Sequence, residues 1–197
     1  MTNQRPTNQQ LLVLASAFAL ALGGAPIEAQ HAVQQAQHHA APQAKAPTSD
    51  FIRTVRAATE RFKDVAVAEA EGYSLMFGCV SGPDSGAMGL HYVNLALVGD
   101  GQLDPARPEI VIYEPLPDGQ VRLIGADFLV FAADWHKANQ PTPELGGQLM
   151  HLIQSPNRYG LPDFYTLHVW AWKDNPSGMF SNWHSNVSCA PFSGKQS

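Results

Sequence analysis

Apolar residues Phe51, Val55, Ala58, Phe62 and Val65 recur at spacings of four, three, four and three, the stripe of an amphipathic helix. Ser49 and Asp50 can cap its start, and Gly72 predicts its end. The charged residues between them, Arg53, Arg56, Glu60, Arg61, Lys63 and Asp64, fall mostly on the other side and read as a solvated face. Past Gly72 the period shortens towards two. Strands are predicted over 73–80, 90–98, 109–114, 121–131, 148–153 and 166–172, with Pro117-Asp118-Gly119 as a hairpin turn and a short helix over 132–139. Residues 81–89, SGPDSGAMG, read as a Gly-rich loop. Hairpin-like strand pairs that follow one helix, without further long helices between them, predict an α+β fold. The expected architecture is an N-terminal amphipathic helix packed on a curved, mainly antiparallel β-sheet.

The last predicted strand has two unlike faces. Leu167, Val169 and Ala171 point one way, while Thr166, His168, Trp170 and Trp172 point the other. After a turn over 173–178 come Trp183, His184 and Cys189, so the chain is expected to fold back over the aromatic face. The predicted strand 121–131 carries an anomaly of its own: Asp127 interrupts an apolar run. A carboxylate there must face solvent, pair with a cation or sit in a site, because burying it alone is costly.

A chain of 197 residues, 45% hydrophobic and 15% charged, suffices for one well-cored domain and is short for two. Its net charge of −5 comes without a basic block, which argues against nucleic acid or an anionic membrane surface as partners. Residues 1–29 read as a signal peptide: Arg5 gives a positive n-region, Leu11 to Leu22 an apolar run, and Ile27-Glu28-Ala29 a small residue at a cleavage point. That run falls short of the about 20 residues a spanning helix needs, and no Cys follows it as a lipid attachment point. Residues 30–48, rich in Ala, Gln, His and Pro, read as a flexible linker, and 49–197 as a single α+β domain. The expected location is periplasmic or secreted. In such a compartment the only two cysteines, Cys79 and Cys189, are expected to form a disulfide.

Motif checks remove several chemistries. The 81–89 stretch lacks the GK[ST] ending of a phosphate cradle, and Ser85 stands one position late for a nucleophile elbow. Asp100-Gly101-Gln102-Leu103-Asp104 fails a calcium loop because its twelfth position would be Val111. Cys189 has no His and Met just after it, so a blue-copper loop is excluded. The segments Gly78-Cys79-Val80-Ser81-Gly82-Pro83, Gly86 to Asn94 (GAMGLHYVN) and His168 to Pro176 (HVWAWKDNP) resemble a group of uncharacterised exported bacterial proteins. The resemblance covers roughly 62–189. It implies a bacterial secreted or periplasmic protein and brings no activity or catalytic residues. Asn186-Val187-Ser188 is formally a glycosylation sequon, of consequence only outside bacteria.

Two functions of different class remain. In the first, a transition metal such as zinc or copper is held by domain histidines, with His91, His151 and His168 preferred because they lie in predicted strands. His184 is a fourth or gating group, and His136, in a surface helix, is the least favoured. Asp127, Asp134 or Glu114 would supply a carboxylate. In the second, the protein is a non-catalytic module for a small molecule or carbohydrate. Trp170, Trp172, Trp183 and Tyr165 then act as stacking surfaces, and Asn182, Asp174 and His168 as polar contacts.

Overall fold

In the computed structural model, residues 47–82, 84–138 and 141–197 are described. The predicted signal peptide 1–29 and nearly all of the predicted linker 30–48 lie outside them. Helix α1 spans Pro47–Thr59, starting with a Pro whose missing N–H costs nothing in a first turn. The apolar stripe continues to Val65, but the helix does not. Thr59 is fully buried, and its hydroxyl donates to the Val55 carbonyl at 2.7 Å and accepts from Trp172 Nε1 at 2.9 Å. Such back-bonding weakens a helix interior. A 3-10 turn, Glu60–Lys63, follows, and Asp64 caps a separate helix α2, Val65–Ala70, by accepting from the Ala66 amide.

Strand β1 is Ser74–Gly82 and β2 is Gly86–Val93, so the expected 81–89 loop is instead a tight hairpin. The strand expected over 90–98 stops at Val93 because Asn94 caps a one-turn helix α3, Leu95–Val98. Strands β3, Ile110–Pro115, and β4, Val121–Phe131, form the predicted hairpin, and helix α4 is Ala132–Lys137. The stretch expected as one strand over 148–153 divides. Glu144–Leu145 (β5) pairs with Gln148–Leu149 (β6) apart from the main sheet, and His151–Ile153 (β7) joins its edge. Strand β8 is Phe164–Val169, ending before Trp170.

The main sheet is antiparallel, in the order β1-β2-β3-β4-β8-β7, and curls into a half-barrel with a few helices, a mixed α+β architecture. Residues directly paired across strands share a face, so the register sorts the side chains. Val111, Ala126 and Val169 stand in one row, with Phe128 beside Leu167 and Val130 beside Tyr165. Phe51, Ile52 and Val55 of α1 cluster with this face, and the Phe51 ring lies 5.7 Å from that of Phe128. Burying each such side chain contributes about 1.5 to 3 kcal/mol. The other face carries Ile110, Asp127 and His168 in one row and His91 beside Ile112.

The free edge of β1 is covered by the C-terminus. Cys79 N donates to Lys195 O and Ser197 N to Cys79 O, each at 3.0 Å. Gly78, at φ +69°, makes this possible: a Cβ there would stand 1.8 Å from Lys195 O. The Cys79–Cys189 disulfide forms as expected, with its Cα atoms 5.7 Å apart, tying the same edge to the returning chain. Among the described residues no helix is long and apolar enough to cross a membrane.

Candidate metal centre

On the face opposite α1, three side chains converge: His91 from β2, Asp127 from β4 and His168 from β8. All three are buried, and one potential ligand atom from each lies within 4.8 Å of the others. His91 Nδ1 is 3.2 Å from the Gly89 carbonyl oxygen. A carbonyl only accepts, so Nδ1 carries the proton and Nε2 keeps its lone pair. That lone pair faces His168 Nε2 at 3.4 Å. On its far side, His168 Nδ1 lies 3.4 Å from Asp127 Oδ2, within ion-pair reach but without the alignment of a hydrogen bond. The other carboxylate oxygen, Oδ1, accepts from the Thr166 hydroxyl at 2.7 Å.

Burial sets the charge states. Loss of water lowers His91 to about 4, with His168 adding to the effect, and lowers His168 to about 3. Both rings are neutral at ordinary pH, the form that binds metals. Burial raises Asp127 to about 6, against the stabilising Thr166 hydrogen bond.

Proton bookkeeping exposes a conflict. If the rings hydrogen-bonded each other directly, His168 would donate from Nε2, because His91 Nε2 is an acceptor. His168 Nδ1 would then be a bare lone pair aimed at a carboxylate, acceptor against acceptor. His91 Nε2 and His168 Nε2 could both hold a cation, which would remove the conflict and leave His168 Nδ1 with a proton facing Asp127 Oδ2. Carboxylate–histidine–metal chains of this kind are common. The spacing agrees as well, since two ligands on a tetrahedral zinc with bonds of about 2.0 to 2.1 Å stand about 3.3 to 3.4 Å apart. Imidazole ligands suit zinc or iron(II), and the Asp127 carboxylate behind His168 would offset part of the cation's charge.

Above the triad opens a cavity of about 350 Å³. Its walls include Phe77, Met88, Tyr159, Phe164 and Trp183, with Asn182 and Arg158 among the few polar groups. Phe77 is the one described non-glycine residue with positive φ, +64°, at the bulge in β1. Its ring meets Tyr159 edge-on at 5.4 Å. Strain of this kind is held only where its surroundings enforce it.

Of the four histidines expected to ligate, the structure brings together two, His91 and His168. His151 is exposed on the edge strand β7 and is not part of the cluster. His184 is fully buried, but both its nitrogens are engaged: Nε2 donates to Asp174 O at 3.0 Å and Nδ1 accepts from Asn186 N at 3.1 Å. It is a satisfied core histidine packed edge-on against Trp170. His136 bonds the Tyr165 hydroxyl. Of the carboxylates, Glu114 is bound to Arg122 and Lys173, and Asp134 to Lys137, leaving Asp127.

The expected Trp-rich face does not form. Trp170 is buried at 1% exposure with Nε1 donating to Ser181 O, and Trp172 is tied to Thr59 beneath Lys63, whose Nζ lies 4.1 Å from its ring centroid. Only Trp183 lines the cavity. Thr166 and the Gly89 carbonyl were not singled out from sequence. Thr166 had a signal, since it lies two residues before His168 on the same strand face; a backbone carbonyl leaves none. A scan against protein-family models and searches of curated proteins and of solved structures each returned no match for this chain.

Proposed function

We propose that this is an exported bacterial protein that binds a divalent transition metal, zinc or iron(II), through His91 and His168, with Asp127 as carboxylate partner. The observation that supports it is the 3.4 Å approach of two Nε2 atoms whose outer nitrogens face Gly89 O at 3.2 Å and Asp127 Oδ2 at 3.4 Å. The N-terminal amphipathic helix packed on the curved sheet braces β4 from behind, which keeps Asp127 in register. A bound metal would act as a Lewis acid or lower the pKa of a coordinated water. The chain's own residues hold the rings, supply one negative charge beside the cation and exclude bulk water. The export reading rests on the 1–29 signal pattern, the resemblance to exported proteins and the disulfide.

Metal analysis of natively exported protein tests the reading. One equivalent of metal is expected, lost in His91→Ala and His168→Ala and kept in His151→Ala and His184→Ala. A wild-type protein that carries no stoichiometric metal and gains no thermal stability from added zinc or iron(II) would overturn it.

A further inference from the structure

We infer that residues 154–163, the connection between β7 and β8, form a flap that swings as a unit to open the cavity, with Arg158 as its latch. The two strands it joins stand at one end of the sheet, whereas Phe77, Ser81 and Met88, which it touches, stand in β1 and β2 at the other. The half-barrel is therefore closed on this side by a loop and not by a strand ladder. Among the described residues two hydrogen bonds cross that seam from the loop. Arg158 Nη2 donates to Ser81 O at 2.9 Å, and the Tyr159 hydroxyl donates to Met88 Sδ at 3.5 Å. A thioether is a weak acceptor, which leaves Arg158 as the firmer tie. Its guanidinium also lies 5.6 Å from the Trp183 ring centroid, yet the side chain is exposed and water competes for both contacts.

Inside the loop the bonding is denser. Asn157 Oδ1 accepts from the Tyr159 and Leu161 amides, each at 3.2 Å, its Nδ2 donates to Leu161 O at 2.9 Å, and Gly160 N donates to Asn157 O at 3.1 Å. A rigid rotation leaves all of these intact. The base is pinned: Ile153 pairs with Phe164, Ser155 N donates to Asp163 Oδ1 at 2.8 Å, and Ala132 N donates to Asp163 O at 2.9 Å. A segment braced within, fixed at its base and lightly held at its tip has the layout of a hinged lid. Tyr159 and Leu161 line the cavity, so part of their surface lacks the packed neighbours that hold a core side chain. His91, Asp127 and His168 line the same cavity, so the flap sets access to them whether or not a metal is bound.

Thiol trapping reads the opening. Leu129 of β4 lines the cavity, whereas its neighbour Val130 is fully buried on the α1 face. N-ethylmaleimide is expected to label Leu129→Cys at least about a hundredfold faster than Val130→Cys, which global unfolding alone exposes. Low urea should leave the first rate nearly unchanged, because a swinging flap exposes little new surface, and should raise the second. Adding Arg158→Ala is expected to speed labelling of Leu129→Cys about five- to tenfold, the effect of losing one water-exposed hydrogen bond from a charged group. Ile110→Cys, on the same wall, replaces Leu129→Cys if that variant does not fold. Amide exchange at Tyr159 and Leu161 should be no faster in Arg158→Ala than in wild type. Three results would each overturn the inference. They are a cavity cysteine labelled with the urea dependence of Val130→Cys, a labelling rate indifferent to Arg158→Ala, and faster exchange at Tyr159 and Leu161, which marks a loop that melts in place of swinging.

Discussion

The Nε2 atoms of His91 and His168 stand 3.4 Å apart although 77 residues separate them in the chain. In the sheet their strands, β2 and β8, are separated by β3 and β4. Three inter-strand steps of about 4.8 Å would hold equivalent residues about 14 Å apart in a flat sheet. The curl of the half-barrel turns both rings inward until their nitrogens meet, with Asp127 of β4 behind His168. The site therefore depends on sheet curvature, and variants that fix or relax that curvature should act on metal affinity.

Thr166→Val removes the 2.7 Å hydrogen bond to Asp127 Oδ1 and leaves His91 and His168 in place. Metal affinity should fall by about 10- to 100-fold. A competition titration against a chromogenic chelator reads the change. Unaltered affinity would mean that Asp127 needs no support from Thr166.

Glu109 is 2% exposed, and burial raises its carboxyl from the ordinary 4.5 to about 8, with Asp127 and Asp100 adding to the rise and the Leu129 amide opposing it. Tyr73 also feels its charge. Between those values the folded protein holds a proton that the unfolded chain has released. Glu109 therefore contributes stability that is full below about 4.5 and is lost as pH rises through about 8, by a few kcal/mol at most. In denaturant melts from pH 5 to 9, Glu109→Gln should be less pH-sensitive than wild type and gain on it most at the alkaline end.

The Cys79–Cys189 bridge closes a loop of 110 residues. Chain entropy puts its contribution at up to about 4 to 5 kcal/mol. The Cys79→Ser, Cys189→Ser double variant should lose about 2 to 5 kcal/mol in urea melts. A loss below about 1 kcal/mol would show that the C-terminal strand pairing holds the tail without the bridge.

Gly78→Ala places a Cβ against Lys195 O in a backbone conformation that alanine disfavours. The tail should lift from β1. Amide exchange at Cys79 and Ser197, whose N–H groups bond across this seam, is expected to accelerate while exchange in β3 and β4 stays slow.

Much of the fold was legible because local patterning carries it. The period-two split of 166–172 put Leu167 and Val169 on one face and Thr166 and His168 on the other, as the register has them, and the structure shows that the first face packs against α1. Pro117-Asp118-Gly119 marked the β3–β4 hairpin, and the even cysteine count marked the disulfide. The break in the first helix and the tightness of the β1–β2 hairpin were not legible. The first follows from the buried Thr59 hydroxyl held by Trp172, a partner 113 residues away. The second follows from pairing that continues to Gly82 and Gly86.

For the site, the sequence by itself determined the candidates: which histidines lie in strands, and that Asp127, a carboxylate in an apolar run, requires an explanation. Which of them meet was decided by tertiary structure alone. His151 and His168 both lie in strands, yet His151 falls on the edge strand and is exposed, while His168 is paired to Asp127 and buried. His184 looked like a free loop imidazole until Asp174 O and Asn186 N engaged both its nitrogens. Strand periodicity reports which face a residue is on. Strand order and curvature set how far apart two residues on that face stand, and those come from pairing between segments that the sequence does not place side by side.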